Sequence, residues 1–225
     1  MPQDLVYMVS AESNFNVRAR SNKSAVGLWQ FIASTGRLYG LKINRWIDER
    51  RDPILSTKAA ITYLKHLYGL FGDWELAMAA YNTGEGRVKR SIKLAKKKGQ
   101  KHNFSSLRLP RETRNYVPAI MALSVIYKNP ERYGFGHVKK MKPMDETLGN
   151  LPVAFSLEEV AKRSKMSFRT LRELNPALYL GVPPMKQKNY SFYIPKLHHQ
   201  KLLASLGNNP EPSKKWSRSY NKLLG

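Results

Sequence analysis

The sequence predicts a mainly α protein that carries a small α+β module near its C-terminal end. Three observations predict it. Apolar residues over 1–135 recur at helical spacing, and no period-2 run interrupts them. After Tyr133 the composition turns rich in Gly, Lys and Pro. Beyond that stretch the pattern reads strand, helix, helix, strand. A chain of 225 residues has room for one domain and a module. With 42% hydrophobic and 24% charged residues, wholesale disorder is excluded.

Pro2 suits the first turn of a helix, because its ring pre-sets the helical φ. Leu5, Met8, Val9 and Glu12 follow at i, i+3, i+4 and i+7, which is one helical face. Small residues at 24–27 make a turn, and 28–35 (LWQFIAST) reads as a short helix stopped by Thr35 and Gly36. Asp52 before Pro53 is an N-cap followed by proline at the first helical position. The helix it starts carries Ile54, Ile61, Leu64, Leu67 and Tyr68 at helical period and ends at Gly72. Asp73 caps the next helix, WELAMAAYN, which Gly84 and Gly86 break. Residues 87–98 form a basic amphipathic helix with Val88, Ile92 and Leu94 or Ala95 inward. Pro110 opens a helix over 111–129, which Pro118 is expected to kink or divide.

The expected boundaries are a helical domain over 1–135, a linker over 136–151, a module over 152–197 and a basic tail over 198–225. Within the module, 153–155 is the first strand. Ser156 with Glu159 forms a capping box, Ser167 caps a second helix, and Tyr190, Phe192 and Ile194 share one face of the last strand.

Charge is the outlying property. Lys and Arg number 39 against 16 Asp and Glu, a net +23. The helical domain holds 23 basic and 10 acidic residues, so the excess is spread along the chain and is no isolated tail. Such a chain calls for a polyanionic partner. No helix-turn-helix, zinc or RNP-like motif is present and the charge is not focused on one element, which argues against specific nucleic-acid binding. The absence of cysteine excludes disulfides, thiolate metal sites and a cysteine nucleophile within this chain. His66, His102, His137, His198 and His199 have no metal-ligand spacing, so neither metal nor cofactor is expected. No apolar run approaches the ~18 residues of a membrane helix, and no signal-peptide pattern opens the chain.

Glu12 is the most informative residue. A carboxylate in an apolar stripe costs free energy unless it is neutral or paired. Desolvation raises its pKa, and a glutamic acid held protonated near neutrality can serve as a general acid. Periodicity alone favours a carboxylate paired with an arginine, or one freed by a frayed helix end.

The run from Glu12 through ESNFNVRARSNKSAVGLWQFIASTGRLYGL strongly resembles the catalytic segment of family 1 lytic transglycosylases. The resemblance continues through DERRDP at 48–53, AAYNTGEGRV at 79–88 and LPRETRNYVP at 109–118. It implies a lysozyme-like helical fold. It also implies cleavage of the β-1,4 bond after N-acetylmuramic acid in peptidoglycan, leaving 1,6-anhydromuramyl ends. Under it, Glu12 matches the catalytic glutamate and Ser13 its positioning neighbour. Gly27, Leu28 and Gln30 match the G-L-x-Q motif, Tyr81 and Asn82 the A-Y-N motif at the cleft, and Tyr116 the tyrosine beside the carboxylate. Asp48, Glu49 and Asp52 read better as cap and ion-pair partners of Arg50 and Arg51 than as a second catalytic carboxylate. Tyr39, Trp46, Trp74, Tyr81 and Tyr116 are candidates for stacking on sugars, although Trp74, at a helix start, reads more readily as core; Trp29, beside Gln30, reads as either.

Residues 152–197 resemble a LysM module, a unit that binds N-acetylglucosamine-containing glycans, although AFSL stands where GDTL is usual. The alternative for this module is a packing element. Family members carry an export signal and a segment before the catalytic helix, so this chain is expected to be an N-terminally truncated piece of an envelope or periplasmic protein, acting as a monomer. The charge also admits peripheral contact with an anionic membrane. The alternatives are a hydrolytic muramidase like goose-type lysozyme and a non-catalytic basic binding protein.

Overall fold

Local signals set where most of the helices begin. The computed structural model describes residues 1–139, 146–151, 155–183 and 190–207, with only the backbone of Glu146, Asn150 and Leu151. It divides into two compact units, Met1–Leu41 with Pro53–Lys140, and Lys42–Asp52 with Met141–Gly225.

In the first unit the N-terminal face is laid down as a 3₁₀ turn, Gln3–Tyr7, running into α1, Met8–Ser13. Leu5, Met8 and Val9 are buried as the spacing requires. The helix expected over 28–35 does not form. Trp29 and Phe31 are both buried, and residues two apart cannot share a helix face. The chain instead makes a tight turn, with Gly27 at φ 84° and Gln30 at φ 47°, closed by an antiparallel bridge between Val26 and Phe31. Helix α2, Ala33–Leu38, follows, and Thr35 and Gly36 lie inside it rather than ending it.

Helix α3, Pro53–Phe71, starts at the predicted proline. Its buried stripe is Ser56, Ala59, Ala60, Leu64 and Leu67. Ile54 and Tyr68, expected inward, are exposed. The small residues permit close approach of α4, Trp74–Thr83, which is the centre of the unit. Ala77, Ala79 and Ala80 on α4 are fully buried, with α3, α5 (Glu85–Lys97) and α6 (Arg111–Lys128) packed around them. Asp73 accepts from the Leu76 N–H at 2.8 Å, the expected N-cap. Gly84, at φ 88°, separates α4 from α5, whereas Gly86 is inside α5. Val88 and Ala95 are buried and Leu94 is exposed, so the inward choice falls on Ala95. Pro118 sits within α6 without dividing it.

The second unit takes in Lys42–Asp52, which precedes α3 in sequence. Ile47 is fully buried and bridges Leu178. The Asp48 N–H donates to the Ala177 carbonyl at 2.9 Å, and the Tyr179 N–H donates to that of Trp46 at 3.0 Å. Trp46 is therefore a core residue of this unit, with the Arg45 guanidinium 4.9 Å from its ring centroid; it is not available for sugar stacking. Asp48 pairs with Arg50 at 2.8 Å, Glu49 accepts from the Lys42 N–H at 2.7 Å, and Asp52 accepts from the Tyr193 hydroxyl at 3.3 Å. Arg51 lies over the Tyr179 ring at 4.3 Å.

Strand β1, Glu146–Leu151, pairs antiparallel with β2, Tyr190–Pro195, in a register that sets Gly149 opposite Phe192. A Cβ at Gly149 would lie 2.9 Å from the Phe192 ring, so this close approach requires glycine. The order strand, helix, helix, strand is as predicted, with α7, Leu157–Arg163, and α8, Phe168–Leu174, between the strands. The first strand, however, lies in the stretch read as linker. Of the strand expected at 153–155, residues 153 and 154 lie outside the described residues, and Phe155 is a buried non-strand residue. Ser156 and Ser167 cap α7 and α8 as expected. Phe192 and Ile194 are buried together on β2. Helix α9, Lys196–Leu206, occupies the start of the expected tail, and 208–225 lie outside the described residues. Among the described residues no helix is long and apolar enough to cross a membrane.

The Asp73 cap carries a simple expectation. Asp73→Ala frees the Leu76 N–H and should cost about 1 kcal/mol of stability, read as a lower denaturant midpoint with an unchanged slope.

Candidate active site

Helix α1 ends in an unusual way. Asn14 (φ 49°) and Phe15 (φ 58°) are both left-handed, so the chain turns sharply just past Glu12 and Ser13. Two consecutive non-glycine residues in this region cost conformational energy, which the surrounding packing must hold in place. Part of that holding comes from Ser13, whose hydroxyl donates to the Leu28 carbonyl at 2.9 Å. The end of α1 is thereby tied to the 27–31 turn. In that turn Gln30 is held at φ 47° by its own amide, which donates to the Gly27 carbonyl at 2.8 Å.

Glu12 faces a hydroxyl from α6. The Tyr116 O–H donates to Glu12 Oε1 at 2.6 Å. Burial pushes the Glu12 carboxyl up to about 7; the Tyr116 hydrogen bond opposes the rise and the charge of Glu112 adds to it. Burial and the neighbouring Glu12 push the Tyr116 phenol well above its ordinary range, so it stays a donor. The carboxyl therefore sits near the pH where it can both give and take a proton.

Tyr81 on α4 completes the wall. Its hydroxyl donates to the Trp29 carbonyl at 2.7 Å, a third tie on the 27–31 turn. Its ring lies 5.2 Å from Tyr63 and 6.2 Å edge-on from Phe31, and Tyr63 lies 4.7 Å from Tyr39. Asn82 is held through its Oδ1 by the Thr113 hydroxyl at 2.8 Å.

An open cleft of about 430 Å³ passes over Glu12 and Ser13, lined also by Asn14, Arg20, Ser21 and Gln30. Of the residues singled out from sequence, Glu12, Ser13 and Gln30 line this cleft. Gly27 and Leu28 act through their backbone carbonyls, and Tyr81, Asn82 and Tyr116 stand behind as hydrogen-bonded supports. Trp29 is core, its indole N–H donating to Thr57 at 2.8 Å. Trp74 stacks on Tyr68 at 4.2 Å. Arg20 and Thr113 were not anticipated. Thr113 had a signal, since it lies three residues before Tyr116 and so on the same face of α6. Among the described residues no cluster of His, Asp and Glu could hold a metal ion.

Comparison with known proteins gives the site a context. Residues 1–104 match the family model described as Transglycosylase SLT domain. The chain is 40% identical over 213 residues to membrane-bound lytic murein transglycosylase D of Escherichia coli (strain K12), covering 92% of this chain and 46% of that protein. It is 37% identical over 117 residues to peptidoglycan transglycosylase gp16 of Escherichia phage T7, covering 51% of this chain and 8% of that protein. The 70 kDa soluble lytic transglycosylase of Escherichia coli aligns with 60% of this chain and 22% of its own length, at 27% identity and a TM-score of 0.45. The mainly α class expected from the sequence is borne out by the helices of the first unit. The chain spans about half the length of the first of these relatives.

The raised Glu12 pKa has a consequence for stability. Because the folded chain holds this proton more tightly than the unfolded one, the site's contribution is greatest below pH ~4.5 and is lost as pH rises through ~7. Glu12→Gln removes the dependence. Relative to the parent, the variant should gain on the order of 3 kcal/mol at about pH 8 and nothing at about pH 4, measured by chemical denaturation at both. Tyr116→Phe should move the Glu12 titration further upward, read by carboxyl NMR.

Proposed function

We propose that this chain is a peptidoglycan lytic transglycosylase that cleaves the β-1,4 bond between N-acetylmuramic acid and N-acetylglucosamine without water. The observation that carries the proposal is the Glu12 carboxyl, raised to about 7 by burial and bonded to the Tyr116 hydroxyl at the floor of an open cleft. The match of residues 1–104 to the SLT domain supports it.

A single carboxyl suffices for this chemistry, whereas most glycosidases need two. Glu12, protonated, gives its proton to the glycosidic oxygen as the bond breaks. As carboxylate it then takes the proton of the 6-hydroxyl of the same muramyl residue, whose oxygen closes on C1. The substrate's N-acetyl group stabilises the cation between the two steps. Ser13, Gly27, Leu28 and Gln30 shape and line the subsite, and Tyr81 and Asn82 hold its far wall. Tyr116 keeps Glu12 in place and tempers its pKa. The ties of Asp48, Glu49 and Asp52 within the second unit support a structural role for those carboxylates.

The second unit is proposed as a LysM-like glycan binder, on the strength of its strand, helix, helix, strand order and antiparallel pair. The partner is peptidoglycan, whose lactyl and stem-peptide carboxylates complement a net +23, and the place of action is the cell envelope. The same charge supports peripheral contact with an anionic membrane.

Two outcomes test the reaction. Glu12→Gln should keep the fold and lose at least ~100-fold in turnover, since an amide cannot serve as acid and then base. Muropeptides released from sacculi should carry muramyl ends lighter by one water than those of a hydrolase, and digestion in heavy-oxygen water should leave them unlabelled. Labelled reducing ends as the main product would make the chain a hydrolytic muramidase instead. Adhesion to sacculi should weaken as salt screens charge beyond ~8 Å.

A further inference from the structure

Two charged side chains line the cleft, Glu12 and Arg20. The proton transfers use only Glu12. Arg20 is exposed, and among the described residues no carboxylate is set against its guanidinium. It does not serve Glu12 either. A cation beside that carboxyl would favour the ionised form, whereas the carboxyl is raised and the neighbouring charge acting on it is that of Glu112. The guanidinium thus belongs to the same cleft but stands away from the reacting proton.

Its backbone is firmly held. Arg20 bridges Val26, and Val26 bridges Phe31 at the end of the 27–31 turn. On either side of Arg20, the Ala19 carbonyl accepts from the Gly27 N–H at 3.0 Å and the Ser21 N–H donates to the Ala25 carbonyl at 3.0 Å. The Ser21 hydroxyl closes the loop by accepting from the N–H groups of Lys23 and Ala25. The main chain at Arg20 is therefore fixed against the turn that carries Gln30, while the side chain keeps its five donors for a ligand.

An arginine fork matches a carboxylate through two parallel N–H···O bonds. The hydroxyls and acetamides of a glycan strand are neutral. Its acidic group hangs from the lactyl ether of muramic acid, as the lactyl carboxylate itself or as the carboxylates of a stem peptide joined through it. We propose that Arg20 is a carboxylate subsite of the cleft, binding the acidic substituent of a muramyl residue and so favouring strands that carry one. The proposal rests on the transglycosylase reading above. The contact is made equally before and during bond breaking, so it acts on KM rather than on kcat.

The test measures kcat and KM of the full chain on strands with stem peptides, on strands stripped of them to the lactyl carboxylate, and on both kinds with their carboxylates converted to carboxamides. Arg20→Ala should raise KM roughly 3- to 5-fold, the upper range of one accessible ion pair, on at least one of the two acidic substrates, and keep kcat within about 2-fold. A rise on the peptide-bearing strands assigns the stem-peptide carboxylates as the ligand, and a rise on the stripped strands assigns the lactyl carboxylate. On the amidated strands parent and variant should agree. The parent's advantage should shrink as salt is added. An unchanged KM on both acidic substrates in a folded Arg20→Ala protein, or an equal rise on the amidated strands, overturns the proposal. If Arg20→Ala does not fold, Arg20→Gln, which also removes the charge, decides by the same comparison. A folded parent chain without turnover would instead refute the transglycosylase reading, and this inference with it.

Discussion

The structure of the first unit turns on keeping a carboxyl out of water. Glu12 lies one turn beyond Val9 on a face that is otherwise apolar, and desolvation is the largest influence on it. An unpaired buried carboxylate is costly. Among the described residues no arginine pairs with it; its partner is a neutral hydroxyl, Tyr116. A salt bridge would have held Glu12 ionised and stable. A phenol leaves it near neutrality, where either protonation state is within reach. The unit thus gives up stability at this position, and the raised pKa measures how much.

That arrangement demands rigidity around it. The end of α1 is a strained double left-handed turn, and three separate ties hold the facing 27–31 turn: Ser13 to Leu28, Gln30 to Gly27, and Tyr81 to Trp29. Each uses a backbone carbonyl of the turn, so the turn is positioned by its main chain, and one of the ties commits the amide of the cleft-lining Gln30. Helix α4 can supply Tyr81 and Asn82 because its alanines let α3, α5 and α6 close around it.

The second unit shows a different economy. A short segment from the first quarter of the chain, Lys42–Asp52, supplies it with Ile47 and Trp46 as core residues and with backbone hydrogen bonds to Ala177 and Tyr179. The acidic residues of that segment are consumed locally by Arg50, Lys42 and Tyr193. Among the described residues the module has two strands and three short helices, which bury little apolar surface by themselves, and the borrowed segment enlarges its core.

Sequence alone determined the helices that begin at strong caps. Pro53, Asp73, Ser156 and Ser167 each carry their own start signal, since a cap is a contact between residues two or three apart. It also singled out Glu12 as an anomalous charge in an apolar stripe, and the four motifs that accompany it. Sequence could not decide what depends on partners far along the chain. The 28–35 segment looked helical because its composition suits a helix; burial of both Trp29 and Phe31 against distant elements made it a turn. Strand β1 carries little strand propensity in ETLGNL and exists because β2, forty residues on, pairs with it and Gly149 admits Phe192. Trp46 read as a sugar platform until Ile47 and Leu178 drew it into a core. Above all, the partner of Glu12 lies 104 residues away. Local spacing could say that a carboxyl was placed where it should not be ionised. Only the packing of α6 against α1 decided that a tyrosine, and not a cation, would meet it.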